Sequence, residues 1–377
     1  MMKIGIPSEI KSLDGLERRV ALTPANIKKF NKLGLKVVVE SGAGLGANSD
    51  DDSYRAAGIE VASRQEAFGC DIVLKLTLPQ KDEISMMSEG STLVGMIDPH
   101  GLGDLIDELN KKKINAFSME LLPRTSRAQS MDILSSQANI AGYRAVLEAT
   151  QHFKRFLPMM MTSAGIAKPA KFIVLGAGVA GLQAIATAKR LGASVEAYDI
   201  RPEVKEQIES LGAKFIELEV EEVGSGEGGY AKELTDEAKK KQQSLLTEYL
   251  KTADIIVTTA NIPGRKAPIL ITEEAARGMK RGSVIVDLAA PTGGNCPLTK
   301  VNEVYEVDGV TLVGTSNYPS LMASDASLFL GNNFANFLAL MVTNVDGLTK
   351  MNVDFEDDIL KGACVAFEGE TLLGKNK

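Results

Sequence analysis

Residues 171–202 read KFIVLGAGVAGLQAIATAKRLGASVEAYDIRP. Lys171–Leu175 is an apolar run of strand length that ends in Gly176-Ala177-Gly178-Val179-Ala180-Gly181. A helical pattern follows, then a second strand, Ser194–Tyr198, and then Asp199. Strand, glycine turn, helix and second strand in that order define a βαβ unit. The same alternation continues with strands at Lys214–Leu218, Asp254–Thr259, Ser283–Asp287 and Thr311–Gly314. Upstream, Met2–Pro7, Lys36–Val39, Asp71–Leu76, Thr92–Met96 and Asn115–Met119 also read as strands. Helical patterns lie beside them at Pro24–Leu33, Tyr54–Ala57 and Leu102–Lys112. The fold class is therefore α/β, with two Rossmann-like, doubly wound parallel-sheet domains.

A long helix over Met131–Thr150 carries the chain from the first domain to the second, and another over Leu328–Val342 returns it. The first domain is thus discontinuous, 1–135 with 326–377, and the second spans 136–325. The tail beyond Met351 reads as partly ordered at best. Glu219–Gln243, acidic, then Gly-rich, then basic, is long for a loop inside a compact domain, and such loops are usually functional or disordered.

The glycine turn has its own chemistry. Gly176 permits the tight turn, Gly178 lets backbone approach a pyrophosphate, and Gly181 lets the helix pack closely on the strand. The helix N-terminus offers free N–H groups to the phosphates. Asp199 stands where a carboxylate accepts hydrogen bonds from ribose hydroxyls and repels a 2′-phosphate. The order of elements points to NAD(H), with Arg201 the one feature pulling toward NADP.

Composition narrows the alternatives. A formal net charge of −7 argues against a nucleic-acid partner. Cys70, Cys296 and Cys364 are scattered and His100 and His152 stand alone, so no metal site is expected and the chain reads as reduced and intracellular. The N-terminus lacks a signal-peptide apolar core, and no segment has the roughly 18 apolar residues of a membrane span. The nearest, Phe329–Val342, is broken by Asn332, Asn333 and Asn336, so direct membrane insertion is not expected.

ERRVALTPANIKKF (residues 17–30), RAQSMDILSSQANIAGYRAV (127–146), GEGGYAKEL (226–234) and the later GGNCPL and SDAS stretches together resemble one family over nearly the whole chain. It is the NAD(H)-binding domain I of proton-translocating nicotinamide nucleotide transhydrogenase. The resemblance implies a homodimer outside the membrane that exchanges hydride with NADP(H) held by a separate partner subunit. Membrane-spanning subunits would couple that exchange to proton movement. A chain that stops at Lys377 resembles bacterial versions in which domain I is its own polypeptide, peripheral on the cytoplasmic face of the inner membrane.

By position in that family, Arg124 and Asp132 would hold the nicotinamide carboxamide, with Ser135 nearby and Gln129 directed toward the partner's nucleotide. Val179, Asp199, Ile200 and Arg201 would line the adenosine half. Tyr230 would sit on a mobile loop, about 219–235, that closes over the cofactor, with Gly229, Gln242 and Asn261 also near it. A carboxamide offers one acceptor and two donors, which one Arg and one Asp satisfy from opposite sides. The plain alternative for Arg124 and Asp132 is a surface ion pair at a helix start.

The opening also resembles alanine dehydrogenase, a soluble enzyme that reduces pyruvate with NADH and ammonia. Arg19 stands at that family's carboxylate-binding position, but its catalytic lysine aligns with Thr77 and its histidine with Asp98. Lys75 and His100 each lie two places away, which on a strand keeps the same face, so a shifted alignment would partly rescue that site. A non-catalytic NAD(H)-binding module is the third reading.

Overall fold

The structure is a computed structural model that describes residues 2–9, 16–218, 236–262, 265–345 and 348–374. The expected loop at about 219–235, with Gly229 and Tyr230, lies outside the described residues. Two compact units are present, Met1–Gln137 with Pro319–Lys377, and Ala138–Tyr318.

The first unit is built on an eight-stranded sheet. From Asn115–Ser118 inward the order is Thr92–Gly95, Ile72–Lys75, Lys3–Ile6, Lys36–Glu40 and Glu60–Ala62, all parallel. Short capped helices connect them. Asp50 accepts the Ser53 N–H at 2.8 Å to start the helix Asp51–Ala56, and Ser63 with Glu66 forms a capping box for Arg64–Phe68.

The tail departs from expectation. Among the described residues it forms the helix Asp358–Ala363 and the strands Cys364–Phe367 and Glu370–Thr371, which extend the first sheet antiparallel beyond Asn115–Ser118. Cys364, Val365 and Ala366 are buried there, and the strand pairs what would be an open sheet edge. A four-residue strand carries too weak a pattern to read without its neighbour.

The helix Ala323–Met341 begins five residues before the expected Leu328. Its asparagines, which look like breaks in an apolar run, bind backbone and side chains of other segments. Asn333 Nδ2 and Asn336 Nδ2 donate to Ser130 O at 3.0 and 2.9 Å, and Asn333 Oδ1 accepts from Ser136 Oγ at 2.8 Å. The SDAS stretch docks on the ERRVAL stretch in the same way, with the Val20 N–H donating to Ser327 Oγ at 3.0 Å.

The second unit holds a seven-stranded sheet. Its order is Lys214–Phe215, Ser194–Tyr198, Lys171–Leu175, Ile255–Thr258, Val284–Asp287, Val310–Val313 and Val304–Val307. The last strand is antiparallel and the rest parallel. Phe172 and Val174 pack into one cluster with Ala184 and Ala188, while Ile173 and Leu175 pack into another with Leu246 and Leu250. Alternate residues of one strand thus serve both faces of the sheet.

The antiparallel edge strand is joined by Asp308-Gly309, both at positive φ, the two-residue hairpin that Asp-Gly favours. A separate hairpin, Met160–Thr162 with Gly165–Ala167, carries exposed Met161 and Ile166. Among the described residues no helix is long and apolar enough to cross a membrane.

The tail helix gives a direct test. Leu360 is 1% exposed in the first unit's core, so Leu360→Ala should destabilise the protein by about 2–5 kcal/mol. Urea unfolding followed by circular dichroism measures this. A loss under about 1 kcal/mol would mean the tail is not part of that core.

Candidate functional site

In the second unit, parallel strands reverse their order on either side of Lys171–Leu175, since Ser194–Tyr198 pairs with one edge and Ile255–Thr258 with the other. A crevice outside the carboxyl ends of strands at such a point is where open α/β sheets bind ligands. Here it is a cavity of about 450 Å³, lined by Gly176, Gly178, Tyr198 to Arg201, Thr259 to Ile262, Pro268 and Leu270.

The glycines shape it. Gly176 has φ +91°, which favours glycine. A Cβ at Gly181 would fall 1.8 Å from Gly176 O, so only glycine lets the helix Val179–Arg190 start this close to its strand. A Cβ at Gly178 would meet nothing within 4 Å, leaving the backbone open to the cavity. The linking helix approaches equally closely, since a Cβ at Gly142 would lie 2.1 Å from Ala180 O.

Asp199 sits at the cavity wall. Its Oδ2 accepts the Ala177 N–H at 2.7 Å, and its two oxygens accept from Arg201 Nε and Nη2, each at 3.0 Å. Burial alone would raise its pKa, but the Arg201 side chain and the N–H groups of Ala177 and Arg201 outweigh that and hold it below the usual carboxylate range. Asp199 is therefore a charged acceptor at neutral pH, and Arg201 is engaged by it rather than free for a phosphate.

Tested against an adenine nucleotide, the cavity fits. Ile200, Ile262, Pro268 and Leu270 offer apolar walls for a base, Asp199 an acceptor for a ribose diol, and the Gly178 backbone an open approach for phosphate. Asn261 also lines the cavity, its Oδ1 accepting from Thr292 Oγ1 at 3.0 Å. Val179 lies on a neighbouring shallow groove with Asn139 and Gln183, and half-buried Gln242, on the helix Asp236–Leu250, is not among the described lining residues.

The remaining candidates lie in the first unit. Asp132 starts the linking helix Ile133–His152, with Oδ1 accepting the Ser135 N–H at 2.8 Å and Oδ2 accepting Ser135 Oγ at 2.5 Å. Arg124 and Gln129 are exposed, and among the described residues Arg124 makes no ion pair. The surface ion pair between Arg124 and Asp132 is therefore not formed; helix capping has claimed the aspartate. Arg127, between them, is held by Asp357 at 2.8 and 2.5 Å.

The positions that resembled an amino-acid dehydrogenase are already occupied. Arg19 is 5% exposed; its Nε and Nη2 donate to Glu17 at 2.8 and 2.6 Å, and Nη1 donates to Gln137 at 2.9 Å. Lys75 is fully buried, and Nζ meets Glu9 at 2.9 Å, Thr77 Oγ1 at 3.0 Å and Glu83 at 3.2 Å. An ammonium has three donors, so no N–H is left for a substrate. A shifted alignment thus does not rescue the site. Asp98 is in a left-handed turn at φ 43°, its N–H donating to Glu120 at 2.8 Å, and His100 is exposed. No periodic pattern marks Glu9 or Glu83 as partners of Lys75, because they come from other segments, whereas Glu17 lies two residues from Arg19 in the ERRVAL stretch.

Comparison with known proteins agrees with these features. Residues 5–141 match the family described as Alanine dehydrogenase/PNT, N-terminal domain, and residues 145–373 match Alanine dehydrogenase/PNT, C-terminal domain. The chain is 48% identical to a Rhodospirillum rubrum protein named as the first part of NAD(P) transhydrogenase subunit alpha, over 98% of this chain and 97% of that protein. The crystal structure of transhydrogenase from Sinorhizobium meliloti superposes with a TM-score of 0.87 at 43% identity, covering 98% of this chain and 99% of that one. Alanine dehydrogenase 1 of Staphylococcus aureus is more distant, 26% identical over 89% of this chain and 87% of that protein. With both family domains matched in order along one chain, the protein belongs to the alanine dehydrogenase/PNT family.

Proposed function

We propose that this chain is the NAD(H)-binding component of a proton-translocating transhydrogenase. It binds NAD(H) and passes hydride between it and NADP(H) on a partner subunit, and membrane-spanning subunits couple that transfer to proton movement. The chain itself would be peripheral on the cytoplasmic face of a bacterial inner membrane. What carries the reading over an amino-acid dehydrogenase is the occupied state of Arg19 and Lys75, in a chain 48% identical to a transhydrogenase subunit.

In this reading Asp199 holds the adenosine ribose, and the helix Val179–Arg190 presents its N–H groups to the pyrophosphate. Bound NADH supplies the hydride from its nicotinamide ring. Arg124 and Asp132 fix the carboxamide and so decide which ring face is offered, Ser135 orients Asp132, and Gln129 meets the partner. Hydride transfer between two nicotinamides needs no proton donor from the chain, so orientation is the protein's main contribution. In the same proposal Val179 lines the adenosine half, Tyr230 closes over the cofactor, and Gly229, Gln242 and Asn261 lie near it.

A homodimer is also included in this reading. Phe156, Met159, Met161 and Ile166 are 57–68% exposed around the hairpin of the second unit, an apolar face suited to a second copy.

Purified chain with NADH, an NADP(H)-binding domain and an NADP+ analogue should turn over, whereas NADH with pyruvate and ammonium should not; the reverse result would make the chain an amino-acid dehydrogenase. Arg124→Ala and Asp132→Asn should slow the hydride step by about a hundredfold with little loss of stability. Among the described residues Arg124 has no ion pair to lose, and Asn caps helices about as well as Asp. Unchanged rates would remove both residues from the site.

Asp199→Ser should weaken NADH about tenfold or more and strengthen NADPH, since it deletes a charged acceptor and releases Arg201 to a 2′-phosphate. Calorimetry reads both affinities, and an unchanged NADH to NADPH ratio would exclude the ribose role. Finally, Met161→Asp with Ile166→Asp should convert dimer to monomer in sedimentation at micromolar concentration; a persisting dimer would place the interface elsewhere.

A further inference from the structure

The GGNCPL turn is not among the described lining residues of the cavity, yet its Asn295 reaches three segments that form or border the wall. Asn295 is fully buried. Its Oδ1 accepts from Thr258 Oγ1 at 2.6 Å, at the end of the strand Ile255–Thr258. Its Nδ2 donates to Ala260 O at 2.8 Å and to Pro268 O at 2.7 Å, both cavity-lining residues. Its own carbonyl accepts the Leu270 and Ile271 N–H groups, each at 3.0 Å. Just before this turn, the Thr292 hydroxyl lies 3.0 Å from two acceptors, Asn261 Oδ1 and the Ala289 carbonyl, which share its one proton, and the Thr292 carbonyl accepts the Ala267 N–H at 2.9 Å.

Asn295 is in turn fixed from below. Asp287, at the end of the strand Val284–Asp287, is fully buried. Its oxygens accept from the N–H groups of Ala289 at 3.0 Å, Asn295 at 2.8 Å and Cys296 at 3.2 Å, and from Thr299 Oγ1 at 2.7 Å. Among the described residues it has no cationic partner, so these four donors hold it. A carboxamide with one acceptor and two donors, all used, connects wall segments that make no strand pairing with one another.

We propose that Asn295 and Thr292 are positioning residues for NAD(H): without touching the nucleotide, they set the Thr259–Ile262 and Pro268–Leu270 walls at the spacing the adenosine half requires. This rests on reading the cavity as the NAD(H) site. It assigns a binding consequence to a stretch whose side chains otherwise look like ordinary turn filling.

The test uses the full chain with NADH and with 5′-AMP, which occupies the adenosine half alone, measuring affinity by calorimetry and ligand-free stability by thermal unfolding. Thr292→Val detaches Asn261 at a half-buried position and should weaken both ligands by about threefold to tenfold with an unchanged unfolding midpoint. Asn295→Asp should weaken both by about tenfold or more at pH 8. Affinity should partly recover toward pH 6, because an ionised carboxylate repels the Ala260 and Pro268 carbonyls while a protonated one donates to one of them. Should Asn295→Asp fail to fold, the Thr292→Val result decides. Wild-type affinity for both ligands in Thr292→Val, or in folded Asn295→Asp at pH 8, would overturn the positioning role. Wild-type protein that binds neither ligand would instead overturn the reading of the cavity.

Discussion

A backbone carbonyl, that of Gly176, lies where the Cβ of any residue but glycine at position 181 would fall. That one exclusion sets how closely the helix Val179–Arg190 starts to its strand, and hence where its free N–H groups point. The cavity beside it depends on this approach. Asp199 reinforces the same corner by accepting the Ala177 N–H, so a residue suited to a ribose also braces the glycine turn.

Within each unit, buried polar groups act as fasteners between segments. Asp287 and Asn295 tie the cavity wall, while in the first unit Lys75 gathers Glu9 and Glu83, and Arg19 gathers Glu17 and Gln137. Each is satisfied, which is what makes its burial tolerable. Satisfaction also removes chemistry. A lysine with all three donors engaged has none left for a 2-oxo acid, and a buried arginine bound twice by one glutamate has its charge matched within the fold.

The first unit illustrates how a site can be carried by segments far apart. The stretch from Arg124 to Ser136 is held by Asn333 and Asn336 from the returning helix and by Asp357 from the tail. The asparagines that interrupt an apolar helix, and a tail with little pattern of its own, thus share one role: they secure the segment on which the proposed nicotinamide contacts are borne.

Local order along the chain was enough for the α/β class, the glycine turn, Asp199 and most central strands, because each is written in adjacent residues as an apolar run, a turn and a period. The Asp-Gly hairpin at 308–309 was equally available and simply short. Tertiary structure alone decided that the tail joins the first sheet, since a four-residue strand is stable only against its neighbour Asn115–Ser118. It alone decided that the side-chain donors of Lys75 and Asn295 are all engaged and that Arg19 is bound by Gln137. Partners such as Glu9 for Lys75 or Thr258 for Asn295 lie 66 and 37 residues away. Hydrogen bonding acts over about 3 Å in space and leaves no periodic trace along a chain.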